Sequence, residues 1–145
     1  MAGHRVEVLR PDDAFFLNAE APGAPQHVGG VAIVDPSAGS GGPVTRADLV
    51  DRMRAVVDAG AAPRLRQRVA RPWGSLARPA WVDASGFTLD DHVLEHTAAQ
   101  PGGRRQLEDA LEAILSEPLD RARPLWQLWL LNGLAEGRQA GVVKV

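Results

Sequence analysis

Four histidines, His4, His27, His92 and His96, are the side chains best suited to proton transfer near neutral pH. No two of them are adjacent. His92 follows Asp90 by two positions within Phe87–Glu95 (FTLDDHVLE). On a strand those two side chains share a face, so a dyad or a metal-ligand pair is geometrically open there. The plainer reading, a packed structural histidine, is the one adopted for His92, and it extends to His96, which has no motif around it. Arg64, Arg66, Arg68, Arg71 and Arg78 lie in Pro63–Pro79 with no acid among them. Leu65, Gln67 and Val69 alternate with Arg64, Arg66 and Arg68, the pattern of a strand with one charged face. That face is either solvated or a row of guanidinium groups suited to phosphate. A nucleic-acid site would interleave aromatics, and only Trp73 is near. Gly29-Gly30 inside an apolar run marks a bulge, a twisted edge, or close approach of another backbone or a ligand. Glycine-rich nucleotide loops, CxxC pairs and HExxH are all missing from the sequence.

The elements that must position these residues alternate between strand and helix patterns. Arg5–Leu9 alternates as a short strand. Pro11–Glu20 (PDDAFFLNAE) reads as a helix, with Pro11 in its first turn and Asp12 and Asp13 on its dipole. Phe15, Phe16 and Ala19 share one face of it. His27–Val34 (HVGGVAIV) is a strand, and Asp35–Pro43 a loop. Thr45–Asp58 is a helix opened by an approximate capping box, Thr45 with Asp48. Its apolar stripe is Leu49, Val50, Met53, Val56 and Val57. Pro101–Pro118 is a second amphipathic helix, with Leu107, Leu111, Ile114 and Leu115 inward.

Pro124–Leu131 (PLWQLWLL) and Gln139–Val145 (QAGVVKV) are the two most strand-like runs. Pro124 argues against helix in the first of them. Asn132-Gly133 and Glu136-Gly137 punctuate the gap, each supplying a glycine for positive φ. Asp120 and Arg123 are placed to pair and brace the entry to this strand. Trp126 and Trp129, three apart, point to opposite faces. The order β, α, β, α, β, β, α, β, β predicts an α/β fold, an α+β two-layer sandwich with a mixed, largely antiparallel sheet.

At 145 residues the chain is expected to form one unit with its own core, spanning 1–145. Its net charge of −2 gives no bulk attraction to nucleic acid or to an anionic surface. No apolar run approaches the roughly 20 residues of a membrane span, and the first residues lack the apolar stretch of a signal peptide. Without cysteine there is no disulfide, thiolate nucleophile or Cys-ligated metal. A cytoplasmic location fits these features.

Several segments, in order, resemble the bacterial wax ester synthase/diacylglycerol acyltransferase family. They are DxxFLxxE (Asp13, Phe16, Leu17, Glu20), HVGG (His27–Gly30, with Gln26 in place of the usual Met) and LRQR. They continue through PxW (Pro79–Trp81), DxHV (Asp90, His92, Val93), PLDRxRPLW, GLxxGR and VVKV. The family usually caps its first helix with Ser before the proline, where this chain has Arg10.

The resemblance implies an N-terminal lobe of chloramphenicol acetyltransferase/condensation-domain architecture, one of two similar lobes with a tunnel between them. It implies transfer of a fatty acyl group from acyl-CoA to a long-chain alcohol or diacylglycerol, with acyl-CoA as substrate and no resident cofactor. The family's base is the second His of HHxxxDG, directly after a strand like VVKV. That motif is not in this sequence, so no catalytic residue is assigned here and a companion C-terminal lobe is expected to carry it.

By the same resemblance, His27, Gly29, Gly30, Trp126 and Trp129 are candidates for the substrate channel. Arg64, Arg66 and Arg68 are candidates for the coenzyme A phosphates. Asp120, Arg123, Pro124, Leu125 and Trp126 form a structural motif. Peripheral association with a membrane or lipid droplet is a further expectation. Two alternatives stay open: a non-catalytic binding lobe, and a relative acylating a natural-product hydroxyl.

Overall fold

The computed structural model describes residues 6–71, 73–74 and 76–145, so His4 and Arg5 lie outside the described residues. The chain runs β1 (Glu7–Val8), α1 (Pro11–Ala19), β2 (Gly29–Val34), α2 (Arg46–Asp58), β3 (Gln67–Ala70) and β4 (Ala80–Asp83). It continues through β5 (Val93–Thr97), α3 (Arg104–Ser116), β6 (Gln127–Asn132) and β7 (Gln139–Lys144). This is an α/β fold with a mixed sheet, as the element order predicts.

The strands form two sheets rather than one. A small antiparallel sheet has the order β1-β4-β3, and a four-stranded sheet the order β2-β7-β6-β5. In the larger sheet only β5 and β6 are parallel. A parallel pair cannot be joined by a tight turn, and α3 supplies the crossover. The Asn132-Gly133 turn region joins β6 to β7 antiparallel, with Gly133 at φ 77° and Gly137 at φ 69°.

Side-chain alternation divides the large sheet's core in two. Leu131 of β6 and Ala140 of β7 are paired and face α3, where they are buried with Ala98, Ala110 and Leu134. Leu128, on the opposite face of β6, joins Val57, Leu89, Val93 and Trp126 under α2. α2 opens with the expected box: the Thr45 hydroxyl accepts from the Asp48 N–H, and the Asp48 carboxylate accepts from the Thr45 N–H at 2.8 Å. Hydrogen bonds from Thr45 hold the Asp48 carboxyl below its ordinary pKa. The α2 stripe packs as expected except at Val56, which is 40% exposed.

Three local expectations differ from the structure. Arg64 and Arg66 lie in a 3₁₀ turn, Pro63–Arg66, and only Arg68 is on a strand. Pro63 presets the first helical φ, so the alternation of Arg64–Val69 becomes strand only from Gln67. β4 was not anticipated, because AWVD is four residues after a Pro-containing loop and its pairing with β3 is invisible to local pattern. α1 buries no residue, and Phe15, Phe16 and Ala19, read as sharing one face, are all exposed.

Candidate functional site

A cavity of about 370 Å³ lies where α1, the small sheet and the ends of β2 and β7 meet. This size falls within the range of small-ligand sites. Phe16 and Leu17 of α1 form one wall, Val69 and Trp81 of the small sheet another, and Leu119 and Leu125 a third. His27, Val28 and Val145 close the end against the large sheet. There the β2–β7 pairing continues past both strands, since Val28 N–H donates to the Val145 carbonyl at 2.7 Å and Val145 N–H donates back at 2.9 Å.

An ionic clamp holds α1 over this cavity. The Arg121 guanidinium donates to the Leu17 carbonyl at 2.7 Å and to Glu20 Oε1 at 3.1 Å. The other Glu20 oxygen accepts from the Gln26 N–H at 3.3 Å. With its four last carbonyls unpaired, a helix end attracts cations, so the guanidinium suits this place. The clamp accounts for Glu20 at the end of DxxFLxxE and Arg121 within PLDR. Sequence reasoning noted both motifs but assigned neither residue a place in the site. Their joint occurrence in two motifs a hundred residues apart was the available signal.

His27 is the one proposed channel residue that the structure places on the cavity. Its Nδ1 is shut away from water with no hydrogen-bond partner among the described residues. Gly29 and Gly30 sit in a regular ladder without a bulge, opposite Lys144 and Val143. A Cβ on Gly29 would come within 2.9 Å of Leu115 Cδ2 from α3, so helix packing accounts for that glycine. A Cβ on Gly30 would meet nothing within 4 Å, which leaves its face of β2 open. All six residues of β2 are exposed, including Val31, Ile33 and Val34.

The remaining candidates fall elsewhere. Trp126 is only 6% exposed and does not line the cavity, because its indole is stacked on His92 at 4.6 Å and its Nε1–H donates to the Leu65 carbonyl at 2.9 Å. Trp129 takes the other face of β6, and its Nε1–H donates to Gln127 Oε1 at 3.1 Å. Arg64 is taken up by an ion pair with Glu7 at 2.7 Å and by the Trp81 ring at 4.9 Å. Arg66 lies over the Phe87 ring at 6.0 Å. The three arginines therefore do not form one phosphate-facing row. Asp120 pairs with Arg123 at 3.4 Å as anticipated, and Arg123 reaches Asp91 at 2.7 Å. Pro124 is buried behind this brace, and Leu125 continues into the cavity wall.

No Asp90–His92 dyad forms. Leu89–Asp91 is a 3₁₀ turn, which breaks the strand geometry the dyad needs, and Asp90 pairs with Arg46 at 2.7 Å. His92 is 2% exposed, and its Nδ1 is 2.8 Å from the Trp126 carbonyl. Burial pushes its pKa below the ordinary 6.5. The described residues contain no group of three or more His, Asp or Glu side chains arranged to hold a metal. Lys144, 1% exposed, donates from Nζ to the Ile114 carbonyl in the last turn of α3 at 2.8 Å, and burial pushes its pKa down.

The chain is thus an α/β lobe with a largely apolar cavity at the end of its longest-paired strands. Residues 9–145 match the family model of the wax ester synthase/diacylglycerol acyltransferase catalytic domain. The chain belongs to that family. A Mycobacterium bovis protein named as a diacylglycerol O-acyltransferase is 32% identical over 140 residues, which are 97% of this chain and 30% of that protein. A Mycobacterium tuberculosis protein of the same name is 35% identical over 140 residues, 95% of this chain and 27% of its own length.

Among solved structures, the wax ester synthase/diacylglycerol acyltransferase of Marinobacter aquaeolei VT8 superposes with a TM-score of 0.76 at 30% identity, over 96% of this chain and 32% of that one. The first condensation domain of the calcium-dependent antibiotic synthetase shares the fold, with a TM-score of 0.71 at 18% identity over 97% of this chain and 32% of that one. The chain thus spans about a third of the length of these relatives.

Proposed function

We propose that this chain is the N-terminal lobe of a CoA-dependent O-acyltransferase that moves a fatty acyl group from acyl-CoA to a long-chain alcohol or diacylglycerol. The observation that carries the reading is the apolar cavity at the end of β7, lined by His27 and Val145. The family resemblance implies HHxxxDG directly after a strand like β7, which supports a position for it beside this cavity. In the reaction the motif's second His takes the proton from the acceptor hydroxyl. The hydroxyl oxygen bonds to the thioester carbonyl carbon, the carbon–sulfur bond breaks, and coenzyme A leaves as the thiol. Within this chain the contribution is positioning: the cavity walls align an apolar tail, and the Arg121–Glu20 clamp fixes α1 over it.

The open face of β2 supports a companion lobe as partner. On the Gly30 face, Val34, and Val143 of the neighbouring strand, are each more than 40% exposed, and β2 is the edge strand, an arrangement that pairs readily with further chain. An obligate interface of about 2,000 Å² or more would suit it. Acyl-CoA enters as substrate with no resident cofactor in this reading. No described helix is long and apolar enough to cross a membrane. The reading places the enzyme in the cytoplasm, meeting lipid peripherally.

The test is coenzyme A release from palmitoyl-CoA with hexadecanol as acceptor. The chain alone should show no turnover above background, and the chain co-expressed with a lobe carrying HHxxxDG should show it. Turnover by the purified chain alone, or none by the assembled pair, would overturn the proposal.

A further inference from the structure

The cavity's polar groups are not all committed to the fold. Glu20 uses one oxygen for Arg121 and the other for the Gln26 N–H. Arg121 is taken by Leu17 and Glu20, and the Gln26 amide turns back to the Ala24 carbonyl. Asp13, His27 and the Trp81 indole N–H remain, and none of the three makes a side-chain hydrogen bond among the described residues. The His27 ring is the unusual one, because a buried ring nitrogen without a partner is costly and seldom left so.

A half-turn of the imidazole about its Cβ–Cγ bond exchanges Nδ1 with Cδ2. The two orientations have nearly the same shape and differ in which atom needs a hydrogen bond. Turned so, the ring puts a carbon in the dry position and frees Nδ1 from it for a hydrogen bond. The two carboxylates on the same cavity wall, Asp13 and Glu20, set the charge the ligand can carry. They repel an anionic head group, and the cation beside them is already paired.

We propose that His27 is a specificity-determining residue that holds the hydroxyl of an aliphatic alcohol in this cavity, in preference to a carboxylate. The inference rests on the acyltransferase reading and deepens it, since it assigns the cavity to the acceptor rather than to a free fatty acid. Apolar walls from Phe16, Leu17, Val69 and Leu125 take the tail, and the imidazole takes the head.

The experiment is binding of 1-octanol, octanoate and n-octane to the purified chain, followed by calorimetry and by imidazole ¹⁵N signals. The parent should bind octanol more tightly than octanoate. His27→Phe should weaken octanol binding by roughly three- to tenfold, the worth of one net hydrogen bond, and leave octane unchanged. His27→Gln, which keeps a hydrogen-bonding head, should recover part of the loss. Equal binding of octanol and octanoate, or equal loss of octanol and octane in His27→Phe, overturns the assignment. If His27→Phe does not fold, the parent decides: octanol must move the His27 Nδ1 signal and octane must not. Because binding is read without turnover, failed acyl transfer by the assembled enzyme would leave this result standing. Lost binding with transfer intact would remove only this assignment.

Discussion

Replacing Trp126 by Ala probes the cluster under α2 most directly. Trp126 shares a buried cluster with Val57, Leu89 and Val93, stacks on His92 and bonds to the Leu65 carbonyl, so it helps tie α2, β5 and the 3₁₀ turn before β3 to the entry of β6. Truncation removes the buried indole, leaves a cavity that the sheet cannot fully collapse, and unpairs the Leu65 carbonyl. Leu65 is only half-buried, so its carbonyl regains water, and packing loss dominates at about 3–5 kcal/mol. At about 2.1 cal/mol/K per residue, the unfolding entropy of 145 residues turns that into a melting point roughly 10–16 °C lower. Thermal unfolding followed by far-UV circular dichroism is the assay, with Trp126→Phe expected between Ala and parent. A Trp126→Ala protein that melts with the parent would refute the packing argument. If the assembled enzyme then lost acyl-CoA affinity, Trp126 would belong to the channel instead.

Stability should fall on acidification because of His92. Its folded pKa lies below 6.5, so as pH drops from about 6.5 the unfolded chain takes the proton first, and the folded state loses its advantage until pH passes the folded value. Urea midpoints at several values from roughly pH 7 to pH 5 should show a shallower decline in His92→Phe, and parallel declines would contradict this. Gly29→Ala should cost about 1 kcal/mol through contact with Leu115, whereas Gly30→Ala should stay within about 0.5 kcal/mol. Equal urea midpoints for the two variants would show that Leu115 yields freely.

How much of this was legible in the sequence depends on how far apart the partners are. The Thr45–Asp48 box, the α2 and α3 stripes and the Asp120–Arg123 brace are contacts within a turn or two, and periodicity exposed them. His92 was read as a packed structural histidine, with a dyad to Asp90 left open by local spacing, and that spacing could not name its partner. Its real partner, the Trp126 carbonyl, is 34 residues away. The same limit hid β4, whose identity comes from pairing with β1 and β3. The cavity gathers side chains from α1, both sheets and the α3–β6 connection, and Arg121 meets Glu20 across 101 residues. Of its residues, His27 was anticipated from family resemblance, while Asp13, Glu20 and Arg121 were seen only as motif letters. Gly29-Gly30 was read as a bulge, a twisted edge or a close approach of backbone or ligand, and the group that approaches Gly29 is the Leu115 side chain.

Lys144 is the sole lysine in the sequence, and it is buried against the end of α3. An amine-reactive reagent therefore meets one lysine ε-amino group in this sequence, and water scarcely touches it. It can be modified only in molecules whose β7 has parted from α3. Its labelling rate, read by mass spectrometry, is then a clock for that one opening, undiluted by surface lysines. Because β7 carries Val145 into the cavity wall, the same clock reports how often the wall comes apart and whether an occupying alcohol slows it.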